Sequence, residues 1–177
     1  MKENDSIPSF ARNLVQRLKN KLGLSKIKLS NNYGLTVEYL NYLNDVVIRA
    51  IKDTNCDLIV IVGRCRTGKS VFCKIANELE GWKHIDLGEL YFNNSFKKVK
   101  WGSLEVRSDT VVMFDEIQCL ENPTAPIYHS KQQKTLITTQ TCTCIPELSE
   151  WDDSYLKIEF ERYGKPPVIT LIEKEEA

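Results

Sequence analysis

Five aliphatic residues, Leu58-Ile59-Val60-Ile61-Val62, run without interruption into Gly63, and five positions later stands Gly68-Lys69-Ser70. An unbroken β-branched run without polar alternation describes a strand buried on both faces, the condition of a strand inside a parallel sheet. Parallel neighbours need a long crossover between them, usually a helix. The partly apolar stretch from about Lys69 to Glu80 supplies one. This strand, loop and helix junction commits the chain to an α/β architecture, and the rest of the sequence is consistent with it.

Four further strand signals follow in order. "KHIDLG" begins at Lys83, "DTVVMFDE" at Asp109, "KTLITTQ" at Lys134 and "YLKIEFERY" at Tyr155. A last run, "PPVITLIEK" from Pro166, is joined to the one before it through Gly164-Lys165-Pro166, which reads as a hairpin turn. Alternating strands and helices predict a sheet with right-handed crossovers. Upstream, "PSFARNLVQRLKNKLG" places Phe10, Leu14, Val15, Leu18 and Leu22 at helical spacing, with Arg12, Arg17, Lys19 and Lys21 on the other face. "TVEYLNYLNDVVIRAIKDTN" reads as a second helix, with Thr36 as its N-cap and Val37, Leu40, Leu43, Val47, Ile48 and Ile51 as its apolar stripe. The expected organisation is a helical segment over 1–55 and a core domain over 56–177.

The spacing of Gly63-Arg64-Cys65-Arg66-Thr67-Gly68-Lys69-Ser70 fits the phosphate-binding loop pattern, with four residues between the glycines. Glycine lets backbone N–H groups converge where a side chain would clash. The helix that follows directs its positive dipole end at the same point. In that reading Lys69 reaches the β- and γ-phosphates and the Ser70 hydroxyl binds Mg²⁺. Asp115 and Glu116 end the third strand after apolar residues. Asp115 is placed to hold the metal, and Glu116 to orient or deprotonate an attacking water. A nucleotide kinase has no need of that glutamate, so the pair favours hydrolysis. Gln140 ends the fourth strand, as a contact to the γ-phosphate or the water, or merely as a strand cap.

With these residues in order, the chain resembles the P-loop ATPases that insert an extra strand between their two nucleotide-binding strands. Within them, "LITTQTCTCIPELSEWDDSYLKIEF" is similar to the HerA/FtsK-type DNA-pumping and viral genome-packaging ATPases. The resemblance runs from about Asp57 to Ile172. It implies a RecA-like P-loop fold with strand order 5-1-4-3-2 and a C-terminal hairpin. It also implies ATP and Mg²⁺ as cofactors, Gln140 as a sensor, a homo-oligomeric ring, and ATP hydrolysis coupled to DNA translocation, as in viral or plasmid genome packaging. Such rings complete each site with an arginine from the neighbouring subunit; Arg107 and Arg162 are candidates, with Arg64 and Arg66 behind them. The short segment ahead of the core suggests a near-minimal motor. No room for a helical lid follows Gln140, which argues against the AAA+ branch. ATP over GTP rests on the resemblance, since no guanine-reading Asn-Lys-x-Asp is present.

Other readings remain open. "LYFNNSFKKVKWGSLEVRSD" carries Lys97, Lys98, Lys100 and Arg107 and would suit the substrate lid of a small-molecule or nucleotide kinase. The same stretch, with Trp101, would suit a DNA contact; the plainer alternative is a buried Trp with solvated lysines. A third class is an ATP-dependent assembly switch without a motor. The formal net charge is zero and names no partner, but the basic helix near the start is a candidate surface for DNA or a protein. No stretch approaches the ~20 apolar residues of a membrane span, and "MKENDSIPSF" lacks the apolar core of a signal peptide. The expected location is cytoplasmic, in a host cytoplasm or virion if the source is viral. Cys56, Cys65, Cys73, Cys119, Cys142 and Cys144 match no zinc spacing, and free thiols are expected.

Overall fold

The computed structural model describes residues 37–142, 145, 148, 151, 153–162 and 164–173. The basic helix expected over 8–23, the Thr36 cap and Cys144 lie outside these residues.

Val37–Tyr42, Leu43–Ile48 and Arg49–Asp53 run on as one helix, α1, whose middle segment is π-helical. Tyr39, Leu43, Val47, Ile48 and Ile51 are its buried face. Further along the chain, Lys134 Nζ donates to the carbonyls of Ile51 and Thr54 at 3.2 and 2.7 Å and so caps the end of α1. The strands are β1 (Leu58–Val62), β2 (Lys83–Asp86), β3 (Val112–Asp115), β4 (Thr135–Thr139), β5 (Tyr155–Glu159) and β6 (Val168–Ile172). Between them lie α2 (Lys69–Glu80), α3 (Leu87–Asn93) and α4 (Ala125–Ser130), with 3₁₀ turns at Trp101–Ser103 and Ile117–Cys119.

The six strands form one sheet in the order β2-β3-β4-β1-β5-β6. All pairings are parallel except β5 with β6, the antiparallel hairpin. β1 lies between β4 and β5, and every residue of β1 and β4 is buried. The unbroken aliphatic run of β1 therefore has an apolar layer on each side. Ile59 and Ile61 face α1 and α2, together with Met113, Leu136, Leu156 and Ile158. Leu58, Val60 and Val62 face the other layer, where Phe114, Ile117, Leu120, Ile127 and Trp151 pack. The chain is thus an α/β fold with a mostly parallel sheet between two layers. Its α1 shares a core with the sheet across the expected boundary at 55/56.

In a parallel sheet the strands deliver their C-terminal ends to one edge, and the crevice there is where such folds bind ligands. Val62, Asp86, Asp115 and Thr139 end their strands at this edge. The candidate residues meet there because the topology brings them, although the sequence scatters them over almost eighty positions.

Candidate functional site

The Gly63–Ser70 loop leaves β1 and enters α2. Gly63 donates its N–H to the Thr139 carbonyl at 3.2 Å, which ties the loop's origin to β4. A Cβ at Gly63 would meet the Phe160 carbonyl oxygen and would stand 2.6 Å from Thr67 Oγ1, so only glycine fits. Gly68 has φ 104°, a conformation that side chains disfavour, and it opens α2. Thr67 Oγ1 donates to the Arg64 carbonyl at 2.9 Å and closes the loop on itself. Lys69 is buried, its Nζ donating to the carbonyls of Gly63 at 2.5 Å and Arg64 at 3.1 Å. Arg64, Cys65 and Arg66 are exposed on the outer turn, with Arg66 at φ 65°.

Opposite the loop, Asp115 ends β3 and is only 1% exposed. Burial pushes its carboxyl pKa up, but the His84 ring facing it and hydrogen bonds from Thr138 and Ser70 outweigh that, and the value lies below the usual aspartate range. Asp115 is therefore held as a carboxylate, with the Ser70 hydroxyl beside it. Thr138, fully buried on β4, is the joint of the site. Its Oγ1 donates to Asp115 Oδ1 at 2.5 Å and accepts from the Glu116 N–H at 2.9 Å. That second bond holds Glu116 in the left-handed region, at φ 61° and ψ 57°. For a non-glycine residue this costs on the order of 1–2 kcal/mol, a cost met most often at functional sites.

The Glu116 carboxylate turns toward the start of α3, where a Cβ on Gly88 would stand 2.5 Å from Oε2. Its pKa is raised by burial, then by the neighbouring charges of Asp115 and Asp86, with Lys69 opposing. A carboxylate with raised affinity for a proton, next to one locked in its charged form, divides the labour of a base and a metal ligand. Asp86 also accepts the Glu89 N–H at 2.9 Å and so caps α3.

Gln140 stands just past β4, exposed, with Nε2 donating to Cys65 Sγ at 3.2 Å. It leans on the outer turn of the loop. Arg162, exposed, follows β5 at the same edge of the sheet as the loop, while Arg107 precedes β3 and lies at the opposite edge, its carbonyl accepting from Lys83 Nζ. Trp101 is half-buried, its ring 5.2 Å from that of Phe114 and 5.7 Å from that of His129, which is the plainer of its two readings.

Three residues of the site went unnoticed in the sequence. Thr138 is one of two adjacent threonines, and only strand register shows which of them faces Asp115. His84 lies two residues before Asp86, the partner of Asp115 in the β2–β3 register. Its Nε2 is buried and 3.7 Å from Asp115 Oδ2, too far for a hydrogen bond. Cys73, one turn into α2, is fully buried below the same carboxylate.

No protein-family model matches the chain, and no curated protein matches it.

Proposed function

We propose that the chain is a P-loop ATPase that hydrolyses ATP with Mg²⁺ and couples that hydrolysis to moving DNA, working as a homo-oligomeric ring. The observation that carries the hydrolytic reading is the Thr138 bridge. It fixes a charged Asp115 and a proton-avid Glu116 side by side, across from the Ser70 hydroxyl and the buried Lys69 ammonium.

The residues present fit the nucleotide. The loop is held to its curve by glycine, since a Cβ at Gly63 would collide with the Phe160 backbone and Thr67, and Lys69 brings a buried positive charge to it. Backbone N–H groups of the loop with Lys69 would hold the phosphates, and Ser70 with Asp115 would hold Mg²⁺. The bound nucleotide supplies the anhydride and the ion polarises it. Glu116 is then the group that takes a proton from water: the Thr138 bond to its N–H fixes its backbone, and burial with the charges of Asp115 and Asp86 raises the proton affinity of its carboxylate. Gln140, on the outer turn, would report the state of the loop to the fourth strand. Arg162, at the same edge as the loop, is better placed than Arg107 to act near a nucleotide, although a neighbouring subunit can present either.

For DNA, the supporting surface is the end of α3 and the segment that follows it. Phe92 and Phe96 are 65% and 63% exposed, their rings 5.3 Å apart and edge to face. Phe96 is held at φ 62°, an outlier for a bulky residue. Lys97, Lys98 and Lys100 follow, all exposed. Exposed aromatics interleaved with lysines suit nucleic acid, which offers both bases and phosphates. Here the rings are Phe92 and Phe96, not Trp101.

One observation favours a second reading, phosphoryl transfer to a small acceptor. A cavity of about 940 Å³ lies beside Asp86 and is lined in part by Lys74, Lys97, Lys98 and Lys100. Glu116 argues against a phosphate acceptor, which has no proton to give up and needs no second carboxylate beside the metal ligand.

The test is steady-state ATP hydrolysis by the purified chain, with and without double-stranded DNA, beside Lys69→Ala. Stimulation by DNA that the substitution abolishes supports the motor. Hydrolysis indifferent to DNA removes translocation, and nucleotide consumed only with an added acceptor replaces it with the kinase reading. Glu116→Gln is expected to bind ATP and turn over little; normal turnover would remove Glu116 from the chemistry.

A further inference from the structure

We propose that Cys73, His84 and Asp115 form a binding site for a borderline-soft divalent ion of the Zn²⁺ class, seated beneath the Gly63–Ser70 loop. Three elements build it. Cys73 projects from α2 onto the sheet, and His84 of β2 and Asp115 of β3 meet it from adjacent parallel strands. A thiol sulfur, an imidazole nitrogen and a carboxylate oxygen all lie within 4.8 Å of one another. Donors arranged tetrahedrally at Zn²⁺ bond lengths stand about 3.3–3.8 Å apart, so closing on an ion needs shifts of about 1 Å or less.

A second observation points to a ligand. His84 Nε2 is buried, its side chain 10% exposed, and it has no hydrogen-bond partner. A buried polar nitrogen without a partner is costly, and this one faces two good metal donors. The donor set decides the class of ion. Mg²⁺ seeks six oxygens in octahedral geometry and gains nothing from sulfur or imidazole, whereas Zn²⁺ and Co²⁺ accept one donor of each kind. Binding forms one bond to each of the three donors and releases the thiol proton of Cys73 to solvent. Three protein donors leave the fourth position open.

A consequence rests on the nucleotide reading above. Asp115 would serve both ions, so an ion held by Cys73 and His84 withdraws Asp115 from Mg²⁺. Zn²⁺ is then an inhibitor of turnover that acts from below the loop, through the aspartate, without touching nucleotide.

The experiment is an optical titration of the full chain with Co²⁺ as probe, without nucleotide. We expect one Co²⁺ per chain, a thiolate-to-cobalt absorption band, and its displacement by Zn²⁺. Cys73→Ala should abolish the band, Cys65→Ser should retain it, and His84→Ala should weaken Co²⁺ binding at least tenfold. Because Cys73 is a core residue, His84→Ala decides the matter if Cys73→Ala does not fold. No band, or a band that survives both substitutions, overturns the site. Hydrolysis is then followed against Zn²⁺ at saturating Mg²⁺-ATP. Inhibition that His84→Ala relieves supports the shared aspartate; Zn²⁺-insensitive hydrolysis beside intact Co²⁺ binding overturns it. A chain that binds Co²⁺ at this site but never hydrolyses ATP leaves the ion site standing and sinks the nucleotide reading.

Discussion

Replacing Thr138 by valine keeps the shape of a fully buried side chain and removes one hydroxyl. That hydroxyl makes two bonds, donating to the Asp115 carboxylate and accepting from the Glu116 N–H. A hydrogen bond to a charged group is worth about 1.5–3 kcal/mol, and a donor left without an acceptor costs about 1–3 kcal/mol. Relaxation of the Glu116 backbone out of its left-handed conformation returns on the order of 1 kcal/mol. The net destabilisation is therefore about 3 kcal/mol, which for a chain of this size lowers Tm by roughly 6–12 °C. The pH dependence gives a second reading. The folded-state pKa of Asp115 is depressed, so its contribution is full above the unfolded aspartate pKa and is lost as pH falls through the folded value. Valine removes one of the donors that depress it. The gap between the two proteins should be widest near pH 7 and should begin to narrow below the unfolded aspartate pKa of about 3.9, as at about pH 3, shrinking further as pH falls toward the depressed folded value. Thermal melts followed by circular dichroism at both pH values measure this. A Tm loss under about 2 °C at pH 7, or a gap that does not change with pH, refutes the bridge as the joint of the site.

Three further outcomes follow from the same geometry. Gly88→Ala places a Cβ 2.5 Å from Glu116 Oε2 within α3, so the helix should gain up to about 1 kcal/mol while ATP turnover falls at least tenfold; wild-type turnover in a stable variant would mean the glutamate acts from elsewhere. Asp86→Asn removes one of the charges that raise the Glu116 pKa while retaining an acceptor for the α3 cap. Since the base must be unprotonated, the acid limb of the pH–rate profile should shift to lower pH, and an unmoved limb would separate Asp86 from Glu116. Phe92→Ala with Phe96→Ala should weaken binding of single-stranded DNA by about 1–3 kcal/mol per stacked base and leave the salt slope unchanged, whereas neutralising Lys97 and Lys98 should reduce that slope; equal affinity in titrations monitored by fluorescence anisotropy would clear the segment of any role.

The parts of the site that sequence revealed are the local ones. An aliphatic run, two glycines and a lysine are contiguous, and the loop they form needs no distant residue to be recognised. Asp115 and Glu116 were legible because a strand end is visible as a change from apolar to acidic. The β5–β6 hairpin was legible from its Gly164-Lys165-Pro166 turn. What depends on register was not legible. Thr138 and Thr139 are chemically identical, and the sheet alone decides that Thr138 meets Asp115. Gln140 shares the parity of Thr138 but stands two residues on, about 7 Å further along the strand direction, so it reaches the outer turn of the loop. Tyr39 joined the buried face of α1 unannounced, as the residue four before Leu43. The cysteines matched no metal spacing because a helix and two strands, eleven and thirty-one residues apart, bring Cys73, His84 and Asp115 together.

The resting position of Lys69 has a consequence for affinity. Its ammonium already holds two carbonyl oxygens of its own loop, those of Gly63 and Arg64. An arriving anion must win the ammonium from them, and the loop must give up the latch that keeps its curvature. Association is an exchange of partners, and the measured affinity reports a difference between two sets of bonds. The same latch is lost in Lys69→Ala, which slackens the loop before any ligand is added. A modest affinity of the wild-type chain for nucleotide would then be a property of a well-satisfied resting loop, and not a sign of a poor fit.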